Sequence, residues 1–474
     1  MNRFPEQGRS REEVLAALGD HRSRDLKGDG RAFAFVYDAG EPLRELAREA
    51  YAACMPINGL DPTVYPSARK LENAVVGACL ELAQAPEGAV GTATAGGTES
   101  VMLAVKAARD YARKTRPQVT RPKMLLPQTA HACFHKAAQY LGVELVSVDV
   151  DPVTFRANVA DARAKMNPDV ILVVGSAPSY AHGVIDPIEE LAALALEHGA
   201  LMHVDACVGG LVLPFMRDNG EAVPPFDFSV EGVTSMSMDL HKYGFAPKGV
   251  SVVLQRTRAL RDAQYFACAS WTGYSIINST TLGSKSISAL GAAFVVMQHL
   301  GREGYRAQTR AMWDATKRLV STIESTPGLR LLARPDMNLL AFTTEPGDVF
   351  ELADRLTECG WHVQPTYAFG PSPSHIHVTL DPGNSARVDQ FCLDLGKCMN
   401  ELPARQSPPE HVIAMLEAIG SAEAGLDPAA LMSELGVSDG QLPTRSGSIH
   451  RLLDAMSPAA RERVLVQFVG ELFS

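Results

Sequence analysis

Four side chains of different chemistry stand where short apolar runs of this sequence end. Lys242 closes "SMSMDLHK" and leads into the turn "YGFAPKG". A lysine at a strand end inside a pocket loses solvation, lowers its pKa and attacks carbonyls as a free amine. The same residue in a turn is equally a solvated surface cation. Lys248, six residues on, is a turn lysine or an anion clamp. Asp205 ends the run "MHVDAC", where a carboxylate caps a helix, binds a metal or pairs with a protonated ring nitrogen. In "TATAGGTES" the glycines Gly96 and Gly97 permit close backbone approach, and Thr98 adds a hydroxyl beside free helix-start N–H groups. That is a phosphate cradle or a plain helix cap. His131, in "PQTAHACFHK", is a structural histidine or an acid–base group. Together the four meet the requirements of pyridoxal phosphate (PLP): amides and Thr98 for its phosphate, His131 beside its ring, Asp205 for its nitrogen, Lys242 for its aldehyde.

The elements that must position these groups alternate between about residues 90 and 255. "KMLLP", "ELVSVDV", "VILVVGS", "ALMHVDA", "GVTSMSM" and "GVSVVLQ" read as strands, and "ESVMLAVKAARDYARK", "HKAAQYLG", "VADARAKM" and "PIEELAALALEHG" as the helices between them. Continuous β-branched runs separated by helices predict a mainly parallel sheet covered on both faces, and open α/β sheets place ligands at strand ends. The spacing divides the chain into an N-terminal helical segment (1–55), a large domain (56–290) and a smaller C-terminal α+β domain (291–474). The last holds a surface excursion at about 403–447 with one short helix, and a terminal amphipathic helix.

Composition narrows the classes of function. The chain has 474 residues, is 46% hydrophobic and carries a net charge of −10, which gives no general attraction to nucleic acid or anionic membrane. The N-terminal "MNRFPEQGRSREEV" lacks the apolar core of a signal peptide, and no apolar stretch approaches the roughly 18 residues of a membrane span. The eight cysteines have no CxxC spacing and read as thiols of a reducing compartment rather than as disulfides or a zinc site. A cytoplasmic enzyme without a metal is expected.

"GGTES", "AHACFHKAAQYLG", "HGVIDPIEELA", "HVDACVGG", "PFDFSVEGVTSMSMDLHKYGFAPKG" and "GYSIINSTTLGSKS" resemble the sphingosine-1-phosphate lyase family, from about residue 33 to 400 and again in the final helix. "DLHKYGFAPKG" is specific to this group, whereas "GGTES" and "HVDAC" are shared more widely. The resemblance implies a fold-type I PLP enzyme close to the amino-acid decarboxylases, with a seven-stranded-type sheet. It implies that Lys242 is the Schiff-base lysine and that Gly97, Thr98 and His241 hold the cofactor phosphate. His131 would stack on the ring and Asp205 pair with its nitrogen. It also implies a homodimer whose active site is shared, Gly283 and Ser284 reaching the neighbour's cofactor phosphate. The reaction implied is retro-aldol cleavage of a phosphorylated sphingoid base to a fatty aldehyde and phosphoethanolamine. Tyr37, Asn58 and Lys248 match positions near the substrate's phosphate and amine, and Tyr180 or His182 assists proton transfer.

Three positions depart from the family pattern. Asp61 replaces a histidine in "NGLDP", Lys285 replaces an arginine in "GSKS", and Leu240 replaces a hydroxyl residue before His241. A carboxylate beside a phosphate is repulsive, so Asp61 bears on the substrate, not on the cofactor groups. The rival reading is a PLP-dependent amino-acid decarboxylase. An aminotransferase lacks its carboxylate-binding arginine in "YAFGPSPSHIHVTLDPG", and a silent scaffold would be expected to have lost Lys242 or Asp205.

Overall fold

The computed structural model describes residues 4–405, 407 and 445–473. Its central sheet has seven strands: β1 (Val90–Thr94), β2 (Lys123–Pro127), β3 (Glu144–Val148), β4 (Val170–Ser176), β5 (Leu201–Asp205), β6 (Val233–Met238) and β7 (Ser251–Gln255). Their spatial order is β1-β7-β6-β5-β4-β2-β3. Neighbouring pairs from β3 through to β6 are parallel, as helix crossovers require. Every residue of β4, "VILVVGS", is buried, which explains why it reads as an unbroken apolar run rather than an alternating one.

β7 is the exception, antiparallel to both β6 and β1. No helix separates it from β6; the chain turns back through residues 239–250, the segment that carries His241, Lys242 and Lys248. β1, "VGTAT", is a strand that the sequence pattern did not announce. Only Val90 and Ala93 are apolar in it, and its pairing with β7 and the bond from Ala93 N–H to Glu72 Oε1 (3.0 Å) hold it in place.

Three further strands and their partner form a smaller antiparallel sheet near the C-terminus: Leu329–Leu331, Leu339–Thr344, Gln364–Thr366 and His375–Thr379. Trp361, Phe342, Phe350 and Phe391 fill its core, joined by Phe33 from the N-terminal segment. A helical stretch, Ser288–Ser325, joins the two sheets and bends at Gly301, whose φ of 56° leaves the helical region. The final amphipathic pattern is divided: Gly447–Ala455 and Pro458–Leu472 are separate helices, Pro458 opening the second. Most of the expected 403–447 excursion lies outside the described residues.

Candidate active site

The loop between β6 and β7 is anchored on both sides before it presents Lys242. Tyr243 is buried and donates to Leu380 O (2.9 Å), and Tyr305 donates to Gly244 O (3.1 Å). A Cβ at Gly244 would lie 2.4 Å from Leu240 O, so only glycine permits the turn directly after the lysine. Lys242 is thereby aimed inward, where its Nζ lies 2.9 Å from Asp239 Oδ2. Burial alone would lower the Lys242 pKa; the charge of Asp239, with smaller contributions from Cys207, Tyr37 and Asp205, outweighs it and raises the pKa. Burial likewise opposes ionisation of Asp239. The Lys242 charge and the His241 hydrogen bond prevail and hold its carboxyl well below the usual range.

Gly97, Thr98, His131, Tyr180, Asp205, Asp239, His241 and Lys242 line one cavity of about 520 Å3. β5 delivers Asp205 at its C-terminal end, and the helix Gly97–Thr115 begins against the opposite wall. That helix has Gly96 at its N-cap and no side-chain cap, so its first N–H groups are free for an anion. A Cβ on Gly97 would come within 2.7 Å of both Asp239 carboxylate oxygens and 2.9 Å of Cys207 Sγ, so the backbone approach needs glycine there. Asp239 Oδ1 and His241 Nδ1 are buried without a partner in the protein. His131 accepts from Cys133 N–H at its Nδ1 (3.2 Å) and stands edge-on to Tyr180. A glycine-lined anion cradle, unsatisfied buried polar atoms, a carboxylate and an amine in one cavity fit PLP.

Tyr37 and Lys248 lie in an adjoining open cleft that His241 also lines. Lys248 Nζ donates to His241 O (2.9 Å) and sits 4.6 Å from the Tyr37 ring centroid. Desolvation, then the nearby Lys242 charge, pushes the Lys248 pKa down to about 8. Burial raises the Tyr37 phenol, with Lys242 partly offsetting it.

The remaining predicted residues divide, Tyr180 alone among them lining the lysine cavity. His182 is stacked on Phe155 (4.0 Å), bonded to Ser372 Oγ (3.0 Å), and absent from the lysine cavity; burial and then His375 push its pKa down to about 3. Tyr180 faces the cavity, with its hydroxyl donating to Gln364 Oε1 (2.8 Å). Asn58 donates to Ser284 Oγ (3.3 Å), and the segment around Asn58 pairs with that around Ser286. Neither Asn58 nor Asp61, Gly283 or Ser284 lines the cavity of its own chain. Asp61 accepts from Thr63 N–H and Oγ (2.8 and 2.6 Å), so it closes its own turn. Sequence reasoning passed over Asp239 and Gln364. The first had a signal, an acid three residues before the lysine; the second had none, because it comes from the distant small sheet.

This fold and this cavity define a PLP-dependent enzyme. The family model described as "Pyridoxal-dependent decarboxylase conserved domain" matches residues 27–345, and one for a C-terminal HTH domain of pyridoxal-dependent enzymes matches 400–471. Within that class the chain belongs to the sphingosine-1-phosphate lyase family. It is 39% identical to the sphingosine-1-phosphate lyase of Arabidopsis thaliana over 84% of this chain and 73% of that protein. The solved sphingosine-1-phosphate lyase of Burkholderia pseudomallei superposes with a TM-score of 0.81 at 31% identity, over 85% of this chain and 93% of that one. A Methanothermobacter thermautotrophicus protein named "Probable L-tyrosine/L-aspartate decarboxylase" is 33% identical over 74% of this chain and 93% of its own length.

Proposed function

We propose that this protein cleaves the C2–C3 bond of sphingosine 1-phosphate, or a close phosphorylated sphingoid base, to a long-chain aldehyde and phosphoethanolamine. The observation that carries the substrate reading is Lys248. It is a cation held beside the lysine cavity with Tyr37, where it can meet the phosphate of a phosphorylated substrate.

The cofactor, bound, supplies a ring that accepts the electron pair left on C2 when the C2–C3 bond breaks. Gly97 and Thr98 hold its phosphate with His241, Asp205 meets its ring nitrogen, and His131 covers its face. Lys242 Nζ supplies the covalent attachment. Tyr180 rather than His182 assists the proton transfer, because only Tyr180 lines the cavity. Burial raises the Tyr180 phenol, so it keeps its proton at neutral pH. It therefore orients the C3 hydroxyl oxygen and relays its proton, leaving Lys242 Nζ, when unprotonated, as the acceptor.

The working form in this reading is a homodimer. The strands Phe266–Cys268 and Ile276–Asn278 form a separate hairpin that exposes Phe266, Trp271, Tyr274 and Ile277. An exposed apolar patch of this kind suits a protein interface, and it leads directly into Gly283 and Ser284. A second copy seated there would bring those two residues, with Asn58, toward the neighbouring cavity. Among the described residues no helix is long and apolar enough to cross a membrane, and all eight cysteines are free thiols. Both suit work in the cytoplasm.

An aldehyde-trapping assay tests the reading. Release is expected from sphingosine 1-phosphate with the parent protein, and none with Lys242→Ala. Equal release from unphosphorylated sphingosine would overturn the phosphate-directed substrate assignment. The alternative suggested by the archaeal relative's name, decarboxylation of an amino acid, yields carbon dioxide and an amine but no trapped aldehyde, so those products with no aldehyde from sphingosine 1-phosphate would favour it.

A further inference from the structure

Beside Asp205, β5 and β6 run in parallel register with Asp205 next to Ser237 and His203 next to Ser235. The two-residue period of a strand puts 203 and 205 on one face and 235 and 237 on the matching one. Four side chains are thereby stacked in a buried row. Asp205 Oδ1 accepts from Cys207 N–H (3.0 Å) and meets Ser237 Oγ at 3.4 Å. Ser237 Oγ also meets Cys207 Sγ (3.2 Å) and His203 Nε2 (3.3 Å), and His203 Nδ1 meets Ser235 Oγ (2.8 Å).

A hydroxyl has one proton and two lone pairs, which settles the direction of this row. If Ser237 gives its proton to Asp205, its lone pairs take the His203 Nε2–H and the Cys207 S–H, and all three partners are satisfied. His203 Nδ1 must then accept from Ser235. In the reverse arrangement Ser237 would turn a lone pair toward a buried carboxylate oxygen, leaving two acceptors face to face where desolvation makes this costly. Burial keeps the imidazole neutral, pushing its pKa down to about 4 against a small opposing effect of Asp205.

We infer that Ser237 and His203 are positioning residues for Asp205, linked in a one-way donor chain: Ser235 O–H to His203 Nδ1, His203 Nε2–H to Ser237 Oγ, Ser237 O–H to Asp205 Oδ1. The chain holds the carboxylate in one orientation. Oδ1 is occupied by the protein and Oδ2 is left for the cavity. The inference rests on the reading of Asp205 as the partner of the cofactor ring nitrogen, since that pairing is what an oriented carboxylate serves.

The first test needs no cofactor. In ¹⁵N-histidine-labelled apoprotein, His203 is expected as the neutral Nε2–H tautomer throughout pH 5.5–8. The Nδ1–H tautomer, or titration within that range, would overturn the chain. The second test reads the ring nitrogen of ¹⁵N-labelled PLP bound to the parent, Ser237→Ala and Ser237→Thr. The parent and Ser237→Thr should show a protonated nitrogen at pH 8, and Ser237→Ala a shift toward the deprotonated value. Pyridoxine 5′-phosphate should also bind Ser237→Ala roughly tenfold more weakly, the lower end for a hydrogen bond to a charged group. An unchanged nitrogen shift in Ser237→Ala refutes the positioning role. The shift is read from bound cofactor only, so a loss of folded protein does not mimic it. Asp205→Asn separates the two readings: if it leaves the nitrogen protonated, the ring-nitrogen role of Asp205 fails, while the tautomer result still decides the chain.

Discussion

Lys248 provides the sharpest quantitative consequence of the site. An ordinary lysine stays mostly charged up to about pH 10, but desolvation and the Lys242 charge bring this one down to about 8. The sign follows directly. The ammonium is complete below pH 8 and is lost as pH rises through it, from roughly nine-tenths charged at pH 7 to about one-tenth at pH 9. A phosphate monoester has its second pKa near ~6 and is already a dianion across that window. A charge-assisted hydrogen bond contributes about 1.5–3 kcal/mol, and the exposed stem of Lys248 argues for the lower end, about tenfold in kcat/KM. The assay is kcat/KM for sphingosine 1-phosphate between pH 6.5 and 9.5, which reports groups of the free enzyme. The parent should fall through an inflection near pH 8. Lys248→Arg, whose guanidinium does not titrate there, should not show that inflection, although any fall caused by the substrate amine will persist in both. An identical inflection in both proteins, or none in the parent, would refute the clamp.

Other outcomes follow from the same geometry. Gly97→Ala forces a methyl against Asp239 and Cys207, so it should retain PLP at least tenfold more weakly with a lowered melting temperature, measured by equilibrium dialysis and calorimetry. Tyr180→Phe should lower kcat by roughly 10²-fold, as loss of a proton-transfer group does. His182→Asn should mainly lower stability and leave kcat per folded molecule near the parent's; the opposite pattern would reverse their assignment. Asp239→Asn removes the charge that raises the Lys242 pKa, so burial should then lower it and speed covalent cofactor capture near pH 7 in stopped-flow absorbance. Ile277→Asp should shift a dimer toward monomer in sedimentation velocity, and an unchanged dimer would place the interface elsewhere.

Much of the fold was legible because its strands announce themselves chemically. Runs such as β4 are apolar on both faces, and the helices between them keep their 3.6-residue spacing. β1 was not, because a strand of threonine, glycine and alanine owes its place to β7 and to Glu72 rather than to its own hydrophobicity. The antiparallel turn of β7 could be inferred only from the missing crossover helix. At the site, Lys242, Asp205 and His131 stood out because each follows an apolar run, the glycine turn because it precedes a helix, and the structure gathers them in one cavity. The separation of Tyr180 from His182 was not legible. Two residues apart in one turn, both border one pocket beside His131, but only Tyr180 also lines the lysine cavity, a matter of tertiary packing against Phe155 and Gln364.

The measurement that bears most directly on the account is product identification by mass spectrometry. Purified protein with PLP is given sphingosine 1-phosphate, with sphingosine and a panel of amino acids in parallel reactions. The account predicts a long-chain aldehyde and phosphoethanolamine in equal amounts, from the phosphorylated lipid alone. Carbon dioxide and an amine from an amino acid, with the phosphorylated lipid untouched, would contradict it.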